Sequence, residues 1–149
     1  MRVYLAGPLF SAADREFNAR LKEILEGAGH EVWLPQEREP TNRNARDIFL
    51  KDMEGIHWAE VVVANMDGPD PDSGTCWEVG YAYQKLPVVV FRTDFRAADD
   101  PAVAPYNLML TESATKQISA PFATLDGIGA KIIEALKEVN QDNCNPISV

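Results

Sequence analysis

Two cysteines and two histidines are all that 149 residues offer among the soft metal ligands and the common catalytic bases. Cys76 and Cys144 stand far apart and outside any metal-type spacing, so neither a zinc ribbon nor a disulfide framework is expected. His30 and His57 are isolated, and no Ser-His-Asp array or zinc set can be assembled around them. Positive charge is scarce too: 14 Lys and Arg face 23 Asp and Glu, a net charge of −9. That balance argues against a nucleic-acid backbone or an anionic membrane as main partner, while leaving room for a single nucleoside or nucleotide in a pocket. No apolar run approaches the ~18 residues of a membrane span. The opening "MRVYLAGPLF" is too short for a secretory core, so the expected location is cytoplasmic. The glycine-rich phosphate loops are missing as well: only Gly7 follows the first strand pattern, which fits neither G-x-G-x-x-G nor a Walker motif.

What is present reads as one ordinary globular domain over residues 1–149, 46% hydrophobic and 25% charged. "RVYLA" (2–6) predicts a buried strand ended by Gly-Pro. "SAADREFNARLKEILEGAGH" predicts a helix, with Ser11 as cap, Asp14 as its capping-box partner and Gly29 as the stop. Further strands are expected at 31–35, 60–66 and 86–92, and further helices at 45–59, at 75–85 and within 121–140. Residues 35–44 and 93–107 read as loops, "NLMLTESA" is ambiguous, and the tail from Gln141 reads as irregular. Alternation of helices with continuously apolar strands predicts a doubly wound α/β fold, flavodoxin- or Rossmann-like, with about five parallel strands. In such sheets ligands sit beyond the carboxyl ends of the strands, here Gly7–Ser11, Pro35–Asn42 and Asp67–Thr75.

The third of these, "DGPDPDSGTCWEVGYA", concentrates Asp67, Asp70, Asp72 and Glu78. Asp67 and Asp70 read as turn-makers, as does Asp72 taken alone. Glu78 has two readings: with Thr75 as cap, "TCWE" is a capping box; alternatively its carboxylate points into the crevice beside Asp72. Paired carboxylates in one pocket suit glycosidic chemistry, in which one attacks the anomeric carbon and another group handles the leaving group's proton. Tyr4 is either a core strand residue or, with Phe10, a flank of the ligand. Cys76 is either a thiol nucleophile or a small buried side chain. Trp33 is either apolar cover for the site or core, and Gln36 or Glu37 either reads a ligand edge or is solvated.

Taken in order, "YLAGPLFS", "DSGTCWEVGYA" and "FRTDFR…PYNLML" resemble the nucleoside 2-deoxyribosyltransferase family over about residues 2–112. The resemblance implies exchange of the base of a 2'-deoxynucleoside for a free base, without a cofactor or metal, in nucleotide salvage. Glu78 matches the glutamate that forms a covalent deoxyribosyl intermediate, six residues after Asp72 in a D-x-G-x-x-x-E pattern. By the same matching, Tyr4 orients the nucleophile and Asp72 holds the sugar hydroxyls or assists proton transfer. Asp52 in "LKDMEGI" shuttles a proton near the base, while Gly7 and Phe10 line the sugar and base pocket. Asn107, with Met109, reaches the sugar from a neighbouring subunit, which implies a homo-oligomer; family members are commonly hexamers built from dimers. The partners implied are therefore small nucleosides and bases, neither a nucleic-acid polymer nor a membrane. The 35–44 loop departs from the family pattern, so base preference stays open.

Two other readings compete. Related enzymes hydrolyse deoxynucleoside 5'-monophosphates, but need a phosphate cradle, whereas the first loop here, "AGPLFSAADREF", offers Ser11 and places acidic Asp14 beside Arg15. A non-catalytic nucleotide-binding module would lack the nucleophile or the tyrosine, and both Glu78 and Tyr4 are present. A phosphoribohydrolase of the lysine-decarboxylase-like type needs a P-G-G-x-G-T loop, which "DSGT" echoes only in part.

Overall fold

The computed structural model describes all residues except 39, 42, 43, 97–102 and 145–149. Its strands are β1 (Arg2–Ala6), β2 (Glu31–Trp33), β3 (Val61–Asn65), β4 (Val88–Arg92) and β5 (Lys116–Ser119). Its helices are α1 (Ala12–Gly27), α2 (Ala45–Trp58), α3 (Ser73–Ala82), α4 (Leu108–Glu112) and α5 (Leu125–Cys144), with a 3-10 turn at Pro35–Glu37. All strand pairs are parallel, in the order β2-β1-β3-β4-β5. None of the described helices is long and apolar enough to cross a membrane.

The two-residue period of the strands sorts side chains onto two faces. Val3 and Leu5 of β1 join Leu21 and Leu25 of α1 and Ile132 and Leu136 of α5. Tyr4 and Ala6 turn the other way, toward Ile56 of α2, Val79 of α3 and Leu110 of α4. With helices on both faces, β3 and β4 are buried along their whole length, which is why they read as unbroken apolar runs. The chain leaves β1 for β2 in one direction and continues through β3, β4 and β5 in the other. The crevice between β1 and β3 is therefore the topological switch point where open α/β sheets hold ligands.

Local chemistry explains the boundaries. Ser11 and Asp14 close the expected capping box on α1, each side chain taking the other's backbone N–H at 3.0–3.1 Å. The helix ends in a Schellman turn: Gly29, at φ +88°, donates to Glu26 O and His30 donates to Leu25 O. β2 stops at Trp33, two residues short of expectation, because Pro35 has no N–H for the ladder and opens the 3-10 turn instead. β4 begins at Val88, because Leu86 still donates to Ala82 O at the end of α3. β5 was not anticipated: "KQIS" lies at the sheet edge and alternates half-buried and exposed positions, so it lacks the apolar run of its neighbours. The ambiguous "NLMLTESA" contains α4, and α5 continues to Cys144 where an irregular tail was expected.

Two side chains lock the loops that leave β3 and β4. Asp67 accepts the Thr93 N–H and hydroxyl at 2.6 Å each and the Asp94 N–H at 2.8 Å. It is thus more than the turn-maker read from sequence. Buried Arg92 donates to the carbonyls of Met66, Gly68 and Arg96 and lies against the Tyr106 ring. Asp67→Ala strands two backbone N–H donors at once, and urea unfolding should show a loss of about 3 kcal/mol. An unchanged midpoint would mean that the two loops are not coupled through this carboxylate.

Candidate active site

β1 carries Tyr4 to the switch point, fully buried on the face covered by α2 and α3. α3 starts in the same crevice and carries Glu78 into its second turn. Between them, across 74 residues of sequence, the Tyr4 hydroxyl donates to Glu78 Oε1 at 2.5 Å. Glu78 is half-buried, and burial pushes its carboxyl up to about 7. The Tyr4 hydrogen bond opposes that rise, and the charges of Asp52 and Asp72 add to it. Burial and the Glu78 charge drive the Tyr4 phenol far above its ordinary range, so it stays a donor throughout the physiological span. Asp52 on α2, also pushed up by burial, reaches about 6. Two carboxylates, Glu78 and Asp52, and the Tyr4 phenol thus hold their protons unusually tightly, a pattern typical of sites that do acid–base or nucleophilic work.

Asp72, not Thr75, is the N-cap of α3, so "TCWE" is not a capping box and Glu78 does not cap the helix. Asp72 Oδ2 accepts both the N–H and the hydroxyl of Thr75, at 2.9 and 3.0 Å. Thr75, which the sequence reading used only as a cap, is buried and fixes the orientation of that carboxylate. Asp72 also lines a groove of about 470 Å³ with Asp67, Asp70, Asn18 and Asn65. Asp52 lines a separate cleft of about 380 Å³ with Phe10, Arg15, Arg38 and Lys51.

The remaining candidates divide. Phe10 is exposed at the rim of the Asp52 cleft. Gly7 ends beside β3, where an added Cβ would sit 3.2 Å from the Asn65 Cβ. Its lack of a side chain therefore serves strand-to-strand approach. Asn107 caps α4, accepting the Met109 N–H at 3.0 Å, and both residues are exposed. No hydrogen bond among the described residues joins either to the Tyr4–Glu78 pair.

Trp33 is core: it is buried, packed at a tilt against Trp58, and lies over Gly55, where any Cβ would collide with its ring. Gln36 and Glu37 are engaged within the chain. Gln36 bonds Asn18 and the Arg15 carbonyl, and Glu37 pairs with Lys22. The Cys76 thiol is pushed up by burial and by Asp70 and Asp72, which disfavours the thiolate a nucleophile needs. His57 bonds Tyr81 at the surface. Among the described residues no three His, Cys, Asp or Glu are grouped as a metal site. Asn18 was overlooked. It is buried and ties α1 to the loop after β1 through Pro8 O at 2.8 Å. Its signal was a polar residue on the stripe of Leu21 and Leu25.

The sequence model of the family described as nucleoside 2-deoxyribosyltransferase matches residues 3–146. Among solved structures, a conserved protein from Enterococcus faecalis V583 is 28% identical over 93% of this chain and 98% of its own, with a TM-score of 0.73. A 2-deoxyribosyltransferase from the psychrotolerant bacterium Bacillus psychrosaccharolyticus is 26% identical over 87% and 90%, with a TM-score of 0.68. A 2-desoxiribosyltransferase from Leishmania mexicana shares the fold, with 21% identity over 89% and 97% and a TM-score of 0.67. No curated protein matches the chain.

Glu78 holds its proton more tightly folded than unfolded, so folding disfavours its ionised form. Stability therefore falls as pH rises from 4.5 to about 7 and stays lowered above that. Glu78→Gln keeps an acceptor for Tyr4 without the charge. Above pH 7 it should be more stable than the parent by about 1–3 kcal/mol in urea unfolding, the advantage disappearing at acid pH. A variant less stable than the parent at alkaline pH would contradict the burial account.

Proposed function

The chain belongs to the nucleoside 2-deoxyribosyltransferase family, and from that premise we propose that it moves 2-deoxyribose between nucleobases through a covalent ester on Glu78. The observation that carries this reading is the Tyr4–Glu78 hydrogen bond. One carboxylate oxygen is held by a phenol that keeps its proton, and the other is left for the anomeric carbon.

In the first half-reaction Glu78 attacks C1' as the C1'–N bond breaks and its electron pair leaves with the base. Asp52, pushed up by burial to about 6, supplies the proton the departing nitrogen needs. In the second half-reaction the acceptor base attacks C1', the ester oxygen returns to Glu78, and Asp52 takes up the proton released. The transition states have oxocarbenium character, and the carboxylate stabilises the developing positive charge. The missing 2'-hydroxyl of the deoxy sugar, an electron-withdrawing group, eases that charge. In this reading Asp72, oriented by Thr75, faces the sugar hydroxyls, Phe10 of the Asp52 cleft borders the base, and Gly7 at the end of β1 borders the sugar. Asn107 and Met109 of a neighbouring copy complete the sugar site, which makes the working form a homo-oligomer; their exposure on α4 supports this part of the reading. Water attacking the ester in place of a base would make the same site a hydrolase, so closure of the site decides the balance.

Incubation with 2'-deoxyinosine and adenine should yield 2'-deoxyadenosine and hypoxanthine, read by chromatography. Hypoxanthine release at one rate with or without acceptor, and no new nucleoside, would make the enzyme a hydrolase. Glu78→Ala should lose about 10³-fold or more of kcat, as removal of a nucleophile does. Tyr4→Phe should lose roughly 10–100-fold, the worth of one hydrogen bond to a charged group.

The pH profile gives a separate test. Activity needs ionised Glu78 and protonated Asp52, so kcat/KM should be bell-shaped with its maximum between about 6 and about 7, the limb near 7 following Glu78. Because the Tyr4 hydrogen bond lowers the Glu78 carboxyl, Tyr4→Phe should move that limb to higher pH. A limb that stays in place or moves to lower pH would mean that Tyr4 does not act on Glu78.

A further inference from the structure

The cleft beside Asp52 is unusual for so acidic a chain. Arg15 of α1, Arg38 after the 3-10 turn and Lys51 of α2 converge on it from three elements. Its walls are largely apolar, with Leu9, Phe10, Pro35 and Ile48 among them. Asp52 also lines it, and the charge of Asp52 is felt by both Glu78 and Tyr4, so Asp52 links the cleft to the reacting pair.

The cations are not equivalent. Lys51 pairs with Glu54 at 2.7 Å and also lies over the Trp33 ring, 5.3 Å from its centroid. Arg38 makes no ion pair among the described residues; its guanidinium lies over the Trp33 ring, 5.1 Å from the centroid. Trp33 is itself immobilised by Trp58 and Gly55. The ring attracts the cation without occupying its N–H groups, which can serve an acceptor. A planar fork of donors lining a largely apolar cleft matches an aromatic ring bearing an anionic group on its rim. A sugar phosphate is matched less well: two of the lining residues, Pro35 and Pro40, have no backbone N–H, and among the described residues no Ser or Thr hydroxyl lines the cleft.

Resting on the transferase reading, we propose that this cleft is the nucleobase subsite and that it selects bases carrying negative charge, ring-carboxylated bases above all, with Arg38 as the specificity-determining residue. Arg38 contacts the charged substituent and takes no part in bond making.

The test uses two acceptors of matched shape, thymine and 5-carboxyuracil, with 2'-deoxyinosine as donor. The ratio of their kcat/KM values, 5-carboxyuracil over thymine, should be about 10 or more, the worth of one shielded charge pair. It should fall to about 1 in Arg38→Gln and recover only in part in Arg38→Lys, which keeps the charge without the fork. A ratio at or below 1 in the parent, or one that Arg38→Gln leaves unchanged, overturns the proposal. So does an Arg38→Gln effect confined to 2'-deoxyinosine 5'-monophosphate as donor, which would place the anion on the sugar. Calorimetric binding of the two free bases, with and without the substitution, is scored independently of turnover. A chain that exchanges no base yet binds 5-carboxyuracil through Arg38 would sink the transferase reading and keep this one. Equal binding of both bases would sink this one whatever the turnover.

Discussion

The contact on which the rest of the site depends is the one between the Tyr4 hydroxyl and the Glu78 carboxylate. It joins the strand at the switch point to the helix that follows β3, and it works only if both partners are held still. Tyr4 is held by full burial between neighbouring strands and the α2–α3 layer. Glu78 is held by a helix whose first turn is fixed by Asp72 and Thr75. Upstream, the loop entering that helix is tied to the loop after β4 by Asp67 and by buried Arg92. The crevice is thus braced from two strands, and a short bond between distant residues becomes affordable in entropy because little freedom remains to be lost.

The same burial underlies the reactivity proposed for Glu78. A carboxylate in water is a poor nucleophile for a glycosidic carbon because its hydration shell must first be removed. Glu78 has already lost much of that shell, and its affinity for a proton has risen accordingly. Asp52 feels a similar environment and ends near neutrality, where a group can both give and receive a proton. Tyr4 stays protonated by a wide margin, so the hydrogen bond that restrains Glu78 persists across the working range. Folding pays for this arrangement in stability, as functional sites generally do.

How much of this was legible in the sequence follows the range of the interactions. The α1 capping box, its glycine stop and the apolar strands β1 and β3 are written in neighbouring residues, and each appears where expected. The start of α3 was harder. "DSGT" offers two good caps three residues apart, and only packing selects Asp72 over Thr75, with the consequence that Glu78 is free for another role. β5 was hidden because an edge strand needs no apolar run. The Tyr4–Glu78 bond spans 74 residues and has no local signature. Resemblance to a family suggested both residues, and the fold independently brings them together. The cationic cleft was invisible for the same reason: Arg15, Arg38 and Lys51 are unremarkable in sequence and meet only in three dimensions.

The central claim is that the sugar passes through a covalent bond to Glu78. The most direct measurement is mass spectrometry of the protein quenched in acid after mixing with a 2'-deoxynucleoside alone. The account predicts one deoxyribosyl adduct on the peptide that contains Glu78, lost within one turnover when free base is added before the quench. Efficient base exchange with no adduct at any time, or an adduct on another residue, would contradict it.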